Sequence, residues 1–471
     1  MPDVDVLLVH PPWSSRLLGN PEENLGLAYL AACLRERGHR VEILDASLQG
    51  LSMKALIGEI RNRTFRVLGI SVLFQVSMPE AVRIAAAARE GAAGGGNRNR
   101  IHVTVGGHFP TFEAERLLAD FPVLDSVVRG EGEETLPELV ETLRSGGQNG
   151  ANGEGSGGGL EGIRGLVFRR DGEVVVNPPR PLIADLDRLP FPARDLTPLA
   201  VRRGVRPAVL TSRGCYGLCS FCSIRAFYDS SPGKAWRGRS PAGVVDELAE
   251  LARMGIRSFH FNDDNFVGAG RRGAERAAAI AEEILRRGLK VGFAVSCRAN
   301  DVREDLFKIL KKAGLREVFL GIESGVQRVL NDLRKDVTVD ENLAAVETLR
   351  KLDLRPRLGF IMFDPDATVE EIHRNVAFLK RLGVRWGAMD TLTDVLNRLH
   401  LFSGTPVVER LRRQGRLGGS YLAPTYRFSD PGVETIYRLT RVFQNLTLPL
   451  HKLRTRLRRH PGPDPWEERV G

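Results

Sequence analysis

The stretch Thr211–Cys222 reads TSRGCYGLCSFC. Its three cysteines, Cys215, Cys219 and Cys222, are spaced C-x3-C-x2-C and follow a short apolar run, Ala208–Thr211, that reads as a strand. Three thiolates on one tight loop can hold three irons of a [4Fe–4S] cluster. The fourth iron then lacks a protein ligand, which leaves a coordination position open for chemistry. Gly214 and Gly217 let the backbone wrap closely. Phe221, just before the last cysteine, can lay a flat apolar surface beside the cluster. Zinc is the alternative, but a structural zinc site wants four protein ligands. Only Cys33 and Cys297 remain to supply the fourth. Cys33 lies in an apolar helical run and reads as core, whereas Cys297 follows a later strand.

Downstream, strand and helix patterns alternate. Strands are expected at Ser258–Phe261, Val291–Val295, Glu317–Gly321 and Leu358–Phe363, with another near Met389–Thr391. Helices are expected at Val244–Met254, Ala274–Arg287, Glu304–Ala313, Glu341–Leu352 and Val369–Leu382. About six such units make a partial parallel barrel, whose functional residues belong at the C-terminal ends of the strands.

Upstream, a second alternating set fills the first 145 residues. Short apolar runs at Val4–Val9, Val41–Leu44, Val67–Val72, Ile101–Val105 and Ser126–Arg129 suit buried parallel strands. Helical periodicity lies between them, as in Leu25–Arg37, which ends at Gly38. The expected fold class is α/β: a doubly wound, Rossmann-like domain, then a partial (β/α)6 barrel and a small helical C-terminal region. The expected divisions are 1–145, a linker 146–200, a barrel 201–400 and a C-terminal region 401–471. Within the linker, Ser145–Gly159 is a flexible tether by composition, and Leu166–Pro178 reads as a hairpin turning at Asp171-Gly172.

Composition narrows the classes. Hydrophobic residues are 42% and charged residues 27% of 471, as expected of a globular chain rather than a disordered one. Five cysteines, three of them clustered, are no secreted disulfide framework. The opening MPDVDVLLVH has no basic n-region, and no apolar run approaches bilayer length, so a cytoplasmic protein is expected. Net charge is +10, yet only ten of the 68 basic residues are Lys and the rest, all Arg, are scattered. No nucleic-acid partner is expected. The basic run His451–His460 could meet an anionic partner or a membrane surface, or be a solvated helix face.

The motif C-x3-C-x-aromatic-C after the first barrel strand resembles that of radical S-adenosylmethionine (SAM) enzymes. Later segments resemble the same family in order: Phe259–Phe266 (FHFNDDNF), Ser296-Cys297-Arg298, Gly321–Gly325 (GIESG) and Gly359–Pro365 (GFIMFDP). The last departs from the family's commoner glycine- and proline-rich form. The resemblance implies that Cys215, Cys219 and Cys222 hold a [4Fe–4S] cluster. It also implies that Phe221, Asp263, Asp264, Ser296, Arg298 and Glu323 lie at SAM. A doubly wound domain ahead of such a barrel resembles the cobalamin-binding subfamily. HPPW at 10–13, GGHFPTF at 106–112 and GEGEET at 130–135 match its corrinoid loops. Cobalamin contacts are thereby implied for Pro11, Ser71, Leu73, Gly106, Gly107, His108, Gly130, Glu131 and Glu133.

One departure matters. The loop after the first strand lacks the D-x-H-x-x-G of methionine-synthase-type domains, so no protein histidine is expected below the cobalt. Leu73, Phe74 or Gln75 is expected there instead. No G-x-G-x-x-G stands at the first turn, so dinucleotide binding is not supported. The resemblance implies a C-methyltransferase acting on an unactivated carbon of a small natural product, with an external low-potential electron donor. The alternatives are a radical cyclase or oxidoreductase of the anaerobic tetrapyrrole type, and a cofactor-binding sensor. A tRNA methylthiotransferase is disfavoured because the first domain holds only Cys33. No side chain is singled out as an acid or base.

Overall fold

Val6–His10 is VLLVH, and all five residues are buried. A run apolar on both faces must be covered on both faces, and this strand, β1, lies inside a sheet. The computed structural model describes residues 4–12, 22–93, 101–146, 159–384 and 395–458. Trp13, the expected strand near Met389–Thr391, most of the tether Ser145–Gly159 and the tail Pro461–Gly471 lie outside the described residues.

The first sheet contains β1, β2 (Val41–Asp45), β3 (Val67–Ser71), β4 (His102–Gly106), β5 (Ser126–Val128), β6 (Leu166–Arg170) and β7 (Glu173–Val176). Its order is β2-β1-β3-β4-β5-β6-β7. The first five strands are parallel, while β6 and β7 add antiparallel. The hairpin forms at Asp171-Gly172, both with positive φ (49° and 89°), as a two-residue turn requires. Its addition to the edge of the parallel sheet was not foreseen. Strand order reverses between β1 and β3. In a doubly wound sheet that reversal opens the ligand crevice.

The second sheet is all parallel, in the order β14-β13-β12-β11-β8. Its strands are β8 (Ala208–Val209), β11 (Ser258–Phe261), β12 (Gly292–Arg298), β13 (Leu315–Glu323) and β14 (Arg355–Phe360). Five of the six expected strands are therefore present among the described residues. Helices 241–253, 270–286, 304–313, 339–351 and 369–381 cover its outer face. Phe261 stacks on Phe293 at 4.8 Å inside this core. A pair of short strands, β9 (Ser212–Arg213) and β10 (Arg237–Gly238), brackets the cysteine loop.

The C-terminal region is not purely helical. A helix Pro406–Arg413 leads into the hairpin β15 (Leu417–Ser420) and β16 (Ala423–Tyr426), then a long helix Pro431–Arg458. Gly419, at φ 74° in β15, is a conformation that favours glycine and supports the tight hairpin. No described helix is long and apolar enough to cross a membrane.

Candidate active site

The cysteine loop starts where β9 ends. Gly214 has φ 84°, and a Cβ there would sit 1.8 Å from the Ala235 carbonyl oxygen. A Cβ on Gly217 would lie 2.4 Å from Arg298 Nη1 and 3.5 Å from Cys215 Sγ. The backbone packs as closely as glycine permits. The Gly217 N–H donates to Cys215 Sγ at 3.4 Å, and the Cys222 N–H to the Cys219 carbonyl at 3.3 Å. Ser220 anchors the middle of the loop. Its N–H donates to the Leu333 carbonyl (2.9 Å) and its hydroxyl to that of Asp332 (3.0 Å).

Burial pushes the Cys222 thiol up to about 12 and raises Cys215 as well. Deprotonating them therefore needs a strong positive partner, which a metal cluster supplies. Arg298 donates to Cys219 Sγ at 3.3 Å and to the Lys335 carbonyl. Its guanidinium also lies 5.3 Å from the Tyr216 ring. Among the described residues no three His, Cys, Asp or Glu side chains converge as a single-ion site. A cubane instead takes one thiolate at each of several separated irons. The donor set and its cationic flank fit such a cluster.

The sequence-predicted SAM residues divide. Asp263 is buried, and both its oxygens are engaged by the loop's entry. It accepts from the Thr211 N–H (2.7 Å), the Thr211 hydroxyl (2.5 Å) and the Ser212 N–H (2.8 Å). Asp263, expected at SAM, fixes the turn that leads to the cysteines. Asp264 accepts from the Gly214 N–H at 2.9 Å yet stays accessible to solvent. Asn265 is buried and links outward to Asp301 (2.7 Å). Asp301 in turn accepts from the Tyr216 hydroxyl at 2.5 Å. Arg298 ends β12, Ser296 is half-buried two residues before it, and Glu323 ends β13 with φ 61°. Phe221 packs on the cluster that includes Val326, Val329 and Leu333.

Sequence reasoning missed Lys335. It is buried, and its ammonium donates to Glu323 at 2.9 Å. Only its distance from GIESG hid it, because a lone lysine carries no local signal.

On the other side, a shallow cleft opens at the β1/β3 crevice, lined by His10, Pro11, Leu73, Phe74 and Ser77. Ser71 accepts from the Asn24 amide at 3.3 Å. Gly107 has φ 114°, and a Cβ there would strike the Val72 carbonyl at 2.6 Å. Gly106 would meet the Val128 carbonyl at 3.2 Å. The Thr111 hydroxyl donates to Gly107 (2.8 Å) and accepts from Gly130 N–H (3.0 Å), joining two of the expected corrinoid loops. This bare backbone rim, where glycines admit close approach, fits one edge of a flat macrocycle.

His108 stacks on Phe227 at 4.2 Å. Burial pushes its imidazole down to about 4, so it is neutral at pH 7. Gln75, one of the three residues expected below the cobalt, donates its amide to the Leu401 carbonyl at 2.5 Å. Phe74 lies 5.8 Å from Phe402. Glu131 and Glu133, expected at the corrinoid, are engaged elsewhere. Glu131 accepts from Arg213 (2.8 Å), Arg237 (2.8 Å) and the Ile183 N–H (2.7 Å). Glu133 accepts from Arg213 at 2.5 Å. These buried pairs stitch the first sheet to the strands flanking the cysteine loop.

Comparison with known proteins agrees with this two-part layout. The B12 binding domain family matches residues 17–140, and the Radical SAM superfamily matches residues 209–379. An uncharacterized methyltransferase of Pyrococcus horikoshii is 34% identical over 398 residues, spanning 82% of this chain and 80% of the relative. An anaerobic magnesium-protoporphyrin IX monomethyl ester cyclase of a Synechocystis species is 27% identical, over 73% of this chain and 65% of its own length. The solved structure of OxsB, a cobalamin-dependent SAM radical enzyme with aqua-cobalamin and SAM bound, superposes with a TM-score of 0.79 at 21% identity. That match covers 99% of this chain and 70% of OxsB.

Proposed function

The chain belongs to the cobalamin-binding branch of the radical SAM superfamily, and on that premise we propose that it is a C-methyltransferase. Its substrate is a small specialised metabolite methylated at an unactivated carbon. The carrying observation is the seam between the two candidate cofactor sites. Phe227, five residues after Cys222, stacks on His108 of the corrinoid loop. The cysteine loop and the switch-point cleft are therefore joined by one pair of rings. The methyltransferase name of the Pyrococcus relative supports the same reading.

When bound, the reduced cluster with SAM supplies one-electron hydrogen abstraction, and cobalamin supplies methyl transfer. The chain's own residues position these groups. Cys215, Cys219 and Cys222 would hold irons, while Arg298 and Lys335 bring positive charge to the loop at Cys219. Asp264, Ser296, Arg298 and Glu323 lie at the strand ends and would contact SAM there, and Phe221 would back the last cysteine. Pro11, Ser71, Leu73, Gly106, Gly107, His108 and Gly130 would frame the corrin. His10 pairs with Asp45 (3.1 Å) and His108 stacks on Phe227. The reading places the enzyme in the cytoplasm with an external low-potential electron donor.

The test is anaerobic turnover of the reconstituted protein with SAM, hydroxocobalamin and a strong reductant. 5′-Deoxyadenosine, S-adenosylhomocysteine and methylcobalamin are followed by mass spectrometry. All three should form, and Cys215→Ala should abolish the 5′-deoxyadenosine. The resemblance to a cyclase favours a second reading without methyl transfer. 5′-Deoxyadenosine without methylcobalamin or S-adenosylhomocysteine would select it.

A further inference from the structure

The long C-terminal helix has two different sides. Val433, Ile436 and Tyr437 pack onto the barrel core. Another side presents Leu439, Val442, Phe443 and Leu446 to solvent, at 66%, 56%, 49% and 69% exposure. These four are spaced three, four and seven residues apart, so they form one apolar stripe. The sequence continues the spacing with Leu450, Leu453 and Leu457, and the helix runs to Arg458. From Thr435 to Pro463 there are seven Arg or Lys residues and no Asp or Glu. An exposed apolar stripe on a helix rich in cations has the composition of a surface-lying membrane helix.

We infer that this helix docks the enzyme on an anionic lipid surface. A second copy of the chain would complete the stripe with another stripe, but would bring seven more positive charges against these seven. An acidic bilayer satisfies both features: headgroups take the cations and the acyl boundary takes the leucines. The helix lies on such a surface rather than crossing it, since no described helix meets the length and apolarity of a span. Each Lys or Arg near acidic lipid is worth about a fivefold gain in partitioning.

The experiment is co-sedimentation of the reconstituted full chain with phosphatidylcholine vesicles, alone or mixed with phosphatidylglycerol. At about 0.1 M salt, where screening acts over about 10 Å, the mixed vesicles should bind at least about tenfold more tightly. The pair Phe443→Asp and Leu446→Asp should weaken that binding at least about tenfold, as should the pair Arg454→Glu and Arg456→Glu. All four sites lie outside the cofactor sites, so cobalamin uptake checks that each variant is folded. The inference fails if acidic vesicles do not bind the protein, or if the stripe variant binds as well as the parent. It fails equally if light scattering shows a dimer that Phe443→Asp dissociates, since a second copy then covers the stripe.

Discussion

Replacing Glu131 by Gln keeps the side chain's shape and removes the one charge shared by Arg213 and Arg237. Burial by itself would raise the Glu131 carboxyl, but the two guanidiniums outweigh it and hold the group below the usual carboxylate range. The neutral amide oxygen cannot serve all three donors, and the NH2 must face one of them. Arg237 keeps the Ile183 carbonyl (2.7 Å) as a neutral acceptor. Arg213 keeps Glu133. Leaving a buried guanidinium short of its partner costs about 3–5 kcal/mol. Unfolding entropy for a chain of this length is about 1 kcal/mol/K, so the midpoint should fall by about 3–5 °C if the chain melts as one unit. Calorimetry on cofactor-free protein reads this directly. The parent's advantage should also fade as pH drops below about 4.5, because a carboxyl with a depressed pKa stabilises only while ionised. The reasoning is refuted if cofactor-free stability moves by less than about 1 kcal/mol while cobalamin affinity falls. Glu131 would then be the corrinoid contact that its loop suggested.

Gly214→Ala forces a Cβ to 1.8 Å from a backbone oxygen at φ 84°. It should prevent cluster assembly, seen as loss of iron and of visible absorbance after reconstitution. Lys335→Met strands the buried Glu323 carboxylate and should cost about 3–5 kcal/mol in denaturant titration, with iron content falling as the loop's cationic flank weakens. Asp364 is pushed up to about 6, chiefly by burial, against the pull of Arg328. A raised carboxyl makes the folded state bind the extra proton, so the parent should lose stability as pH rises from about 4 to about 6. Asp364→Asn should remove that loss, making its relative melting temperature higher at neutral than at acid pH.

Much of this was legible because the signals are local. Three cysteines within eight residues, apolar runs of strand length and an Asp-Gly turn each declare themselves without knowledge of the rest of the chain. Helix spans were legible too, although the Thr338 cap starts its helix at Val339, two residues before the expected Glu341. Gly107 and Gly214 stood in the expected loops, although only the backbone at Val72 and Ala235 explains why they must be glycine.

The residue sequence by itself determined the order of the two sheets' strands along the chain and the donor chemistry of the cysteine loop. Tertiary structure alone decided which charges became partners. Glu131 meets Arg213 across 82 residues and Arg237 across 106, and Asp263 meets Thr211 across 52. A carboxylate's role depends on what surrounds it once water is removed, since a buried charge is tolerable only beside its opposite or its donors. GEGEET lists three acids but cannot say that two arginines from the neighbouring sheet will reach Glu131 and Glu133.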